Sequence, residues 1–305
     1  MKLKNSHLLL LLGLLILIVL VIYFAGKKSR HGDLPDKFIS FSSEDIQQLE
    51  IIPAHKQSEA FKVVKINGRW YVLFKKSKML ADSSFIDRTF AEIDKLIPSR
   101  LISESNEDWK TYGVDSSGTL LILTSVKGEK AKIIIGNMTF QDNIYVNTYI
   151  RQPEDNRVFA AECYMEGTVR ASMDSWREKK MTMPLYSLNF LEVQSDDPAG
   201  KVISIKKEGN IWKAGQKDAD TSVVNSLIKK LAKINDLPLL EPGIAPGTKA
   251  DLTLTLDYVQ RFKTTLYCYP DKQGFLIGSS VNQGNYVVAD SLFFSEFKSL
   301  IFNLK

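Results

Sequence analysis

The chain has 305 residues, of which 44% are hydrophobic and 25% are charged. These values are typical of a globular protein with room for two domains, and they argue against intrinsic disorder. The net charge is +5, but the first 32 positions hold five cations and no acidic residue, so the remainder carries 35 Lys and Arg against 35 Asp and Glu. A nucleic-acid partner needs a concentrated basic surface, so the sequence predicts no nucleic-acid binding.

The first predicted element is an N-terminal membrane anchor over residues 1–30. Residues 8–25 are apolar apart from Gly13 and the phenol of Tyr23, and as a helix they would span about 27 Å, close to the roughly 30 Å of a hydrocarbon core. The alternative is a cleaved signal peptide, but the run is long for one and lacks a small-x-small cleavage pattern before Gly26. We therefore expect residues 8–25 to lie in the lipid bilayer.

The flanking charges do not decide the orientation of this anchor, because three positive charges lie on each side of it when the terminal amine is counted. A short N-terminal tail usually stays in the cytoplasm, and a large C-terminal body crosses regardless of local charge. We expect a single-pass protein of the inner membrane with its body on the periplasmic side.

An internal duplication organises the body. The stretches 67–70 (Asn-Gly-Arg-Trp) and 81–84 (Ala-Asp-Ser-Ser) return as 209–212 (Gly-Asn-Ile-Trp) and 219–222 (Ala-Asp-Thr-Ser), each pair leading into an amphipathic run. Trp70 and Trp212 are 142 positions apart, and the two Asp residues of the second pair of stretches are 138 apart. The sequence predicts an α+β fold of two tandem repeats, each a mostly antiparallel sheet with helices packed on it. The repeats are 38–173 and 188–305, with a joining segment at 174–187.

In the first repeat, β-rich runs at 46–52 and 61–66 lead to a hairpin turn at Asn67-Gly68, because both residues tolerate positive φ. Trp70, on the returning strand, is expected to plug the core beneath the following helix. That helix is expected to be capped by Asp82 or Ser83 and to end before Pro98. A second hairpin is predicted across Lys127-Gly128. Later elements are strands at 144–150 and 157–160 and a weak helix through Met173.

In the second repeat, the predicted helix runs from about Asp220 to Asn235, and a connector rich in Pro and Gly follows at 238–249. A last helix is predicted from Ser291, where Phe294, Phe297 and Ile301 have helical spacing. The predicted strands are 188–194, 201–207, 210–213, 251–256, 262–269, 274–278 and 285–288.

Several short motifs, in order, resemble a known bacterial family. They are Trp70-x-Val72, Ala81-Asp82-Ser83-Ser84, Tyr112-Gly113-Val114-Asp115, Ile135-Gly136, Tyr145 and Trp176-Arg177-Glu178-Lys179. This order is similar to that of the family called domain of unknown function 4340, although the family's usual Asp-Pro after Tyr-Gly-x-Asp is Ser116-Ser117 here. The resemblance implies a single-anchor membrane protein, of a kind often encoded beside ABC-type exporter subunits tied to gliding motility. It implies no reaction, since the family has no established activity.

No motif in the sequence indicates a catalytic centre, a metal site or a cofactor, so we expect a non-enzymatic protein with no cofactor. Carboxylate pairs could in principle hydrolyse glycans. They lie in turn-like sequence, however, where Asp bonds its own backbone. The pairs are Asp108 with Asp115, Glu154 with Asp155, and Asp196 with Asp197. The two cysteines, Cys163 and Cys268, are expected to be buried or half-buried thiols rather than a bridge.

Six residues form the candidate interaction surface. Tyr145 and Tyr149 share one strand face, as do Tyr267 and Tyr269, and rows of Tyr either grip a sugar or partner or pack on a half-buried sheet. Trp176 and Arg177 stand where the repeats meet. They are expected either to lock the repeats together or to offer a docking patch.

These features predict an accessory or scaffold protein of an ABC exporter or envelope assembly, anchored in the membrane and acting outside the cytoplasm. The alternative is a binding module for cell-wall glycan or lipid, which would use the Tyr faces or a groove between the repeats.

Overall fold

A computed structural model describes residues 14–19, 34–35, 37–141, 145–196, 202–247, 249–272 and 274–304. The predicted anchor at 8–25 lies mostly outside these residues, and the part that is described, 14–19, is helical and exposed. Among the described residues, no helix combines the length and the apolar character needed to cross a bilayer.

Two large antiparallel sheets with a few helices make up the body, which confirms the α+β class. The chain divides into two compact units. Unit 1 is Met1–Ala60 with Arg88–Arg170, and unit 2 is Phe61–Asp87 with Ala171–Lys305. Strands and helices are numbered below along the whole chain.

Unit 1 contains six strands: β1 (Ile46–Ile52), β5 (Arg100–Ser103), β6 (Thr119–Ser125), β7 (Lys130–Gln141), β8 (Tyr145–Arg151) and β9 (Val158–Ala161). They lie in the order β1-β6-β7-β8-β9-β5. The β6–β7 hairpin turns at Gly128, with φ of +83°, where the sequence predicts it. Side chains along β6 alternate between buried and half-buried because successive residues of a strand face opposite sides of the sheet.

Unit 2 contains a three-stranded ladder and a larger sheet. The ladder is β2 (Phe61–Ile66), β3 (Arg69–Phe74) and β4 (Ser77–Leu80). Its β2–β3 turn has Asn67 at φ +50° and Gly68 at +79°, as predicted. The sheet has the order β13-β12-β11-β10-β14-β15-β16-β17. Its strands are β10 (Leu188–Ser195), β11 (Val202–Glu208), β12 (Ile211–Ala214), β13 (Lys217–Asp218), β14 (Leu252–Tyr258), β15 (Lys263–Asp271), β16 (Gly274–Ser279) and β17 (Asn282–Asp290).

The helices are α1 (Ser83–Ile93), α2 (Trp109–Tyr112), α3 (Met165–Val169), α4 (Thr221–Lys233) and α5 (Ser291–Phe302). The chain passes from unit 2 back to unit 1 within α1. Each of the three long helices begins after an Asp. Asp82 Oδ1 accepts the N–H of Phe85 at 2.9 Å, Asp220 Oδ1 that of Ser222 at 2.7 Å, and Asp290 Oδ1 that of Phe293 at 2.6 Å. The predicted cap at Asp82 is therefore confirmed.

The core of unit 2 lies between the larger sheet and helices α4 and α5. Leucines at alternate positions of β14 face apolar side chains of α4 (Val224, Leu227 and Leu231) and of α5 (Phe294, Phe297 and Ile301). The helical spacing read from the sequence for α5 is thus confirmed.

Two parts of the chain have similar strand orders. The order β4-β3-β2 matches β13-β12-β11, and the order β1-β6-β7-β8-β9 matches β10-β14-β15-β16-β17. In both copies the third strand of the ladder leads directly into a helix that begins after an Asp.

The expectation that Trp70 plugs the core is wrong, because Trp70 is only half-buried and Lys65 Nζ lies 5.8 Å from its ring centroid. Its counterpart Trp212 is buried. Tyr71 and Val72 are the buried residues at this point of β3. The sequence reading also omitted the short strands β4, β5 and β13.

Candidate functional site

The joining segment lies inside unit 2, where its Trp is part of the core. Trp176 has no exposed surface, and its ring is 4.8 Å from that of Phe85 and 5.8 Å from that of Phe61. The backbone of the segment pairs with the chain just beyond β4. Ala81 and Arg177 form an antiparallel bridge, the N–H of Asp82 donates to Trp176 O at 2.9 Å, and the N–H of Glu178 donates to Leu80 O at 2.9 Å. Trp176 therefore lies beneath α1, where Trp70 was expected.

Arg177 is the most deeply buried charged side chain among the described residues, with 2% of its surface exposed. Its Nε donates to Asn285 Oδ1 at 2.9 Å, and its Nη1 donates to Asp174 Oδ1 at 2.7 Å and to Leu240 O at 3.0 Å. A buried guanidinium is tolerated only when it is paired and hydrogen-bonded in this way.

Buried asparagines extend this network. Asn285 Nδ2 donates to Leu80 O at 2.9 Å and to Asn282 Oδ1 at 2.7 Å, and Asn282 Nδ2 donates to Glu178 O at 2.8 Å. A third amide, Asn235, accepts the N–H of Met181 at 2.7 Å through its Oδ1. The joining segment is thus tied by side-chain amides to β4, to β17 and to the end of α4.

These contacts leave Trp176 and Arg177 out of reach of a partner. Both side chains are buried within unit 2, whereas a docking patch would need exposed side chains. The expectation that they lock the repeats together stays a prediction. Sequence reasoning missed Asn235, Asn282 and Asn285, because an isolated Asn carries no local signal that it bonds to groups 54 to 205 positions away.

In unit 1, Tyr149 is half-buried, and its ring is 4.8 Å from that of Tyr112. It packs on a small apolar cluster formed by Val114, Ile134 and Val158. The side chain of Tyr145, its expected neighbour on the strand face, lies outside the described part of the chain, so the Tyr145–Tyr149 row stays a prediction.

The Tyr-Gly-Val-Asp motif is a tight turn next to this cluster. Gly113 has φ of +65° at the end of α2. A Cβ at Gly136 would lie 2.4 Å from Tyr112 O, so the Ile-Gly motif is where β7 passes close to that turn. Asp115 accepts the N–H of Ser117 at 3.0 Å and its hydroxyl at 2.6 Å. These bonds to Ser117, the hydroxyl bond foremost, lower the pKa of Asp115.

Arg151 is a buried residue of the same region that the sequence did not reveal. Its guanidinium carbon lies 3.6 Å from the Trp109 ring centroid, and its nitrogens donate to four backbone carbonyls: Val114, Gln152, Pro153 and Asp155. Burial lowers the pKa of Arg151. Because its donors are used within the chain, Arg151 holds the motif turn in place.

Tyr267 and Tyr269 are both half-buried on one face of β15, as expected, with ring centroids 6.5 Å apart. A third ring joins them. Tyr286 of β17 lies 6.2 Å from Tyr269, edge to face, and it approaches Gly278, whose missing side chain makes room for it. Burial and the two neighbouring phenols raise the pKa of Tyr269. We call Tyr267, Tyr269 and Tyr286 the tyrosine row.

Tyr267 and Tyr269 of the tyrosine row border a cavity of about 370 Å³. Thr253 and Gln194 contribute to its wall, and the ion pair between Asp196 and Lys249 closes one side. Tyr286 was missed in the sequence because it stands alone in its strand, whereas Tyr267 and Tyr269 show the period-two spacing of a strand face.

The carboxylate pairs were predicted to serve turns. Asp155 accepts the N–H of Arg157, two positions on, at 2.9 Å and pairs with its guanidinium at 2.7 Å, and Asp115 makes the corresponding bond to Ser117. Both therefore adopt the turn geometry predicted for them. Asp108 Oδ2 accepts the hydroxyl of Ser103 at 2.6 Å, and Asp197 lies outside the described residues.

The two cysteines are free and buried, which confirms the expectation of two thiols. Burial raises the pKa of Cys163 to about 11 and that of Cys268 to about 12. Both thiols are therefore protonated, and so poor nucleophiles, at neutral pH.

Comparison with known proteins gives one family. The sequence pattern described as Domain of unknown function (DUF4340) matches residues 70–257. No curated protein and no solved structure gives a significant match to the chain.

Proposed function

The chain belongs to the DUF4340 family, and on that premise we propose that it is a non-enzymatic accessory or scaffold protein of a membrane assembly, with an ABC exporter as the partner complex. This proposal rests on the structural roles of the family's motif residues. Trp176 and Arg177 are buried in the packing of unit 2, and Gly113, Gly136 and Asp115 shape a turn in unit 1. Residues with such roles build a rigid body rather than a reaction centre.

The placement of that body belongs to the same proposal. Residues 8–25 would anchor the chain in the inner membrane as a single helix, and the two tandem repeats would lie on the periplasmic side. The apolar length of 8–25 supports the anchor. The repeated strand order supports an origin of the two repeats by duplication.

A thiol-labelling experiment in intact cells tests the placement. Ser117 is exposed, so a Ser117→Cys variant in a Cys163→Ala, Cys268→Ala background gives one reactive thiol on the body. A membrane-impermeant maleimide should label it without lysis. The matched control, Asn5→Cys in the same background, lies before the anchor and should be protected until lysis. The reverse pattern would place the body in the cytoplasm.

Co-purification tests the scaffold role. The full chain, extracted in a mild detergent and captured by a C-terminal tag, should bring down the membrane and nucleotide-binding subunits of an exporter in fixed ratio. An unrelated single-pass protein, expressed at the same level with the same tag, should not. Recovery of the protein alone under several mild detergents would contradict the proposal.

The tyrosine row favours a second candidate, a binding module for envelope glycan or lipid. Tyr267 and Tyr269 line a cavity of about 370 Å³, and with Tyr286 packed against Tyr269 they provide apolar area with hydroxyl groups at low entropic cost. Binding of wall fragments to the full chain should weaken in Tyr267→Ala. It should persist in Tyr186→Ala, a matched change at a ring that is 86% exposed. Equal binding by both variants would remove this candidate.

A further inference from the structure

The tyrosine row is one end of a longer polar surface on the sheet of unit 2. Along β14 and β15 the register pairs Thr253 with Tyr267, Thr255 with Thr265, and Asp257 with Lys263. These residues are half-buried or exposed, whereas the leucines between them on β14 are buried against the helices. We call this surface the outer face. From Thr253 to Asp257 it runs for about 13 Å, at roughly 3.3 Å per strand residue.

The far end of the outer face is a second cavity, of about 770 Å³. The register places Phe190 of β10 between Lys206 and Asp257, so a half-buried ring stands between a cation and a carboxylate. The β14–β15 turn adds Phe262, which is 55% exposed, beside this cavity. Aromatic rings therefore stand at both ends of the outer face, with threonine hydroxyls and the carboxylate of Glu192, which pairs with Thr255, between them. The cations lie at the Phe262 end, away from this carboxylate.

Two acceptor oxygens in this second cavity lack hydrogen bonds. Asn189 Oδ1 and Asp257 Oδ1 are buried, and neither has a donor among the described residues. Lys263 Nζ is 3.6 Å from Asp257 Oδ1, which is an ion-pair distance but too long for a hydrogen bond. Asn189 stands at an irregularity where the β10–β14 register shifts between Leu188 and Phe190. Buried acceptors without donors are rare and costly in proteins, so a small movement of the cavity wall that lets a ligand hydroxyl group reach these shielded oxygens would be favourable.

The charge at this end favours an acidic ligand. Lys206, Arg261 and Lys263 border the cavity against the single carboxylate of Asp257. Cations of this kind bind carboxylate and phosphate groups. The same ligand should therefore carry hydroxyl groups, apolar ring faces and negative charge.

We propose that the outer face binds an acidic oligosaccharide. Sugar rings pack on the tyrosine row and on Phe190 and Phe262, hydroxyl groups donate to Asn189 Oδ1 and Asp257 Oδ1, and Lys206 and Lys263 bind the anionic groups. A surface of about 13 Å between the two ends fits a few linked sugars rather than a monosaccharide. This inference rests on the second function proposed above and specifies its site and its ligand.

Calorimetric titration of the full chain in detergent micelles tests it, with hexagalacturonate as the acidic probe, maltohexaose as the neutral probe and inorganic phosphate as an anion without sugar. We expect hexagalacturonate to bind at least about tenfold more tightly than maltohexaose, and more weakly as salt is added, because ions screen the exposed cations. Millimolar phosphate should not compete. No binding of hexagalacturonate at millimolar concentration, or equal binding of the two hexasaccharides, would overturn the proposal.

Matched variants separate this site from the tyrosine row alone. Phe262→Ala should weaken hexagalacturonate binding about tenfold, whereas Phe140→Ala, at a ring 58% exposed in unit 1, should not. Lys263→Gln should reduce the preference for the acidic probe, and Lys217→Gln, an exposed lysine of β13, should leave it unchanged. If Tyr267→Ala abolishes binding but Phe262→Ala and Lys263→Gln have no effect, the glycan function stands and the acidic site does not. If no saccharide binds, both the glycan-binding function and the acidic site are refuted.

Discussion

Removal of the Arg177 side chain should loosen the joining segment from the rest of unit 2. In Arg177→Met the apolar volume is largely kept, but Asn285 Oδ1 and Leu240 O each lose their charged donor. Asp174 is half-exposed and can be hydrated by water once the guanidinium is gone, so the cost comes from the two acceptors. A buried acceptor left without its donor costs about 1–3 kcal/mol, so the two together cost about 2–6 kcal/mol. That is a large share of a typical stability of about 5–15 kcal/mol.

Hydrogen–deuterium exchange on the full chain in detergent measures this effect where it should occur. The amides of Met181 and Thr182, which donate to Asn235 Oδ1, and that of Glu178, which donates to Leu80 O, report opening of the joining segment. A loss of about 3 kcal/mol corresponds to exchange more than about a hundredfold faster, since 1.4 kcal/mol is a factor of ten.

The control is Arg170→Met, which removes an exposed arginine whose Nη1 is 2.6 Å from Glu166 Oε1. Exposed ion pairs contribute about 0–1 kcal/mol, so exchange in unit 1 should change little. Arg177→Lys keeps the charge but not the planar set of donors, and it should fall between the wild type and Arg177→Met. If Arg177→Met exchanges like the wild type, or if Arg170→Met has an equal effect, the buried network does not hold the segment.

Three further predictions concern the core, the motif turn and the thiols. Trp176→Phe should lower the thermal midpoint clearly more than Trp70→Phe, because the first ring is fully buried and the second is half-exposed; equal shifts would contradict the assignment of the core Trp. Gly136→Ala should destabilise unit 1 by about 1–3 kcal/mol, measured by urea unfolding, because the added Cβ would lie 2.4 Å from a backbone oxygen; a neutral result would mean that β7 does not approach the motif turn so closely. The folded-state pKa values of Cys163 and Cys268, about 11 and about 12, exceed the ordinary 9.0, so their contribution to stability is complete below pH 9 and falls as the pH rises towards those values. Between pH 8 and pH 11 the thermal midpoint should fall less in the Cys163→Ala, Cys268→Ala double variant than in the wild type. An equal fall of the midpoint in the two proteins would refute this prediction.

Local elements were predictable because their causes are local. The turns at Asn67-Gly68 and Lys127-Gly128 need positive φ, and the starts of α1 and α5 need a side-chain acceptor for free N–H groups, so a few neighbouring residues determine each. The similar strand orders are in keeping with the duplication predicted from the spacing of the Trp and Asp residues, and the duplication itself stays a prediction.

Features that depend on distant partners were not predictable in the same way. Trp70 and Trp176 look equally suited to a core, and only the tertiary packing places Trp176 under α1. The amides of Asn282 and Asn285 bond to groups about 100 to 200 positions away, so no short pattern reveals them. Two of the three members of the tyrosine row, Tyr267 and Tyr269, were predictable from the period-two spacing on β15, but the contribution of Tyr286 depends on the neighbouring strands.

The division of unit 2 into two distant pieces has a consequence for biosynthesis. The ladder β2–β4 is complete once residue 87 has been made, but the rest of unit 2 is synthesised only after residue 170. Residue 178 follows residue 87 by 91 positions, so at about 5–20 residues per second roughly 5 to 18 s pass before it is added. During that interval the backbone groups beyond β4 that later pair with Trp176 and Glu178 have no partner. The nascent ladder therefore presents an open strand end that can associate with other chains. Depletion of cellular holdase chaperones should for this reason lower the yield of the full chain more than that of a protein whose units are each continuous in sequence.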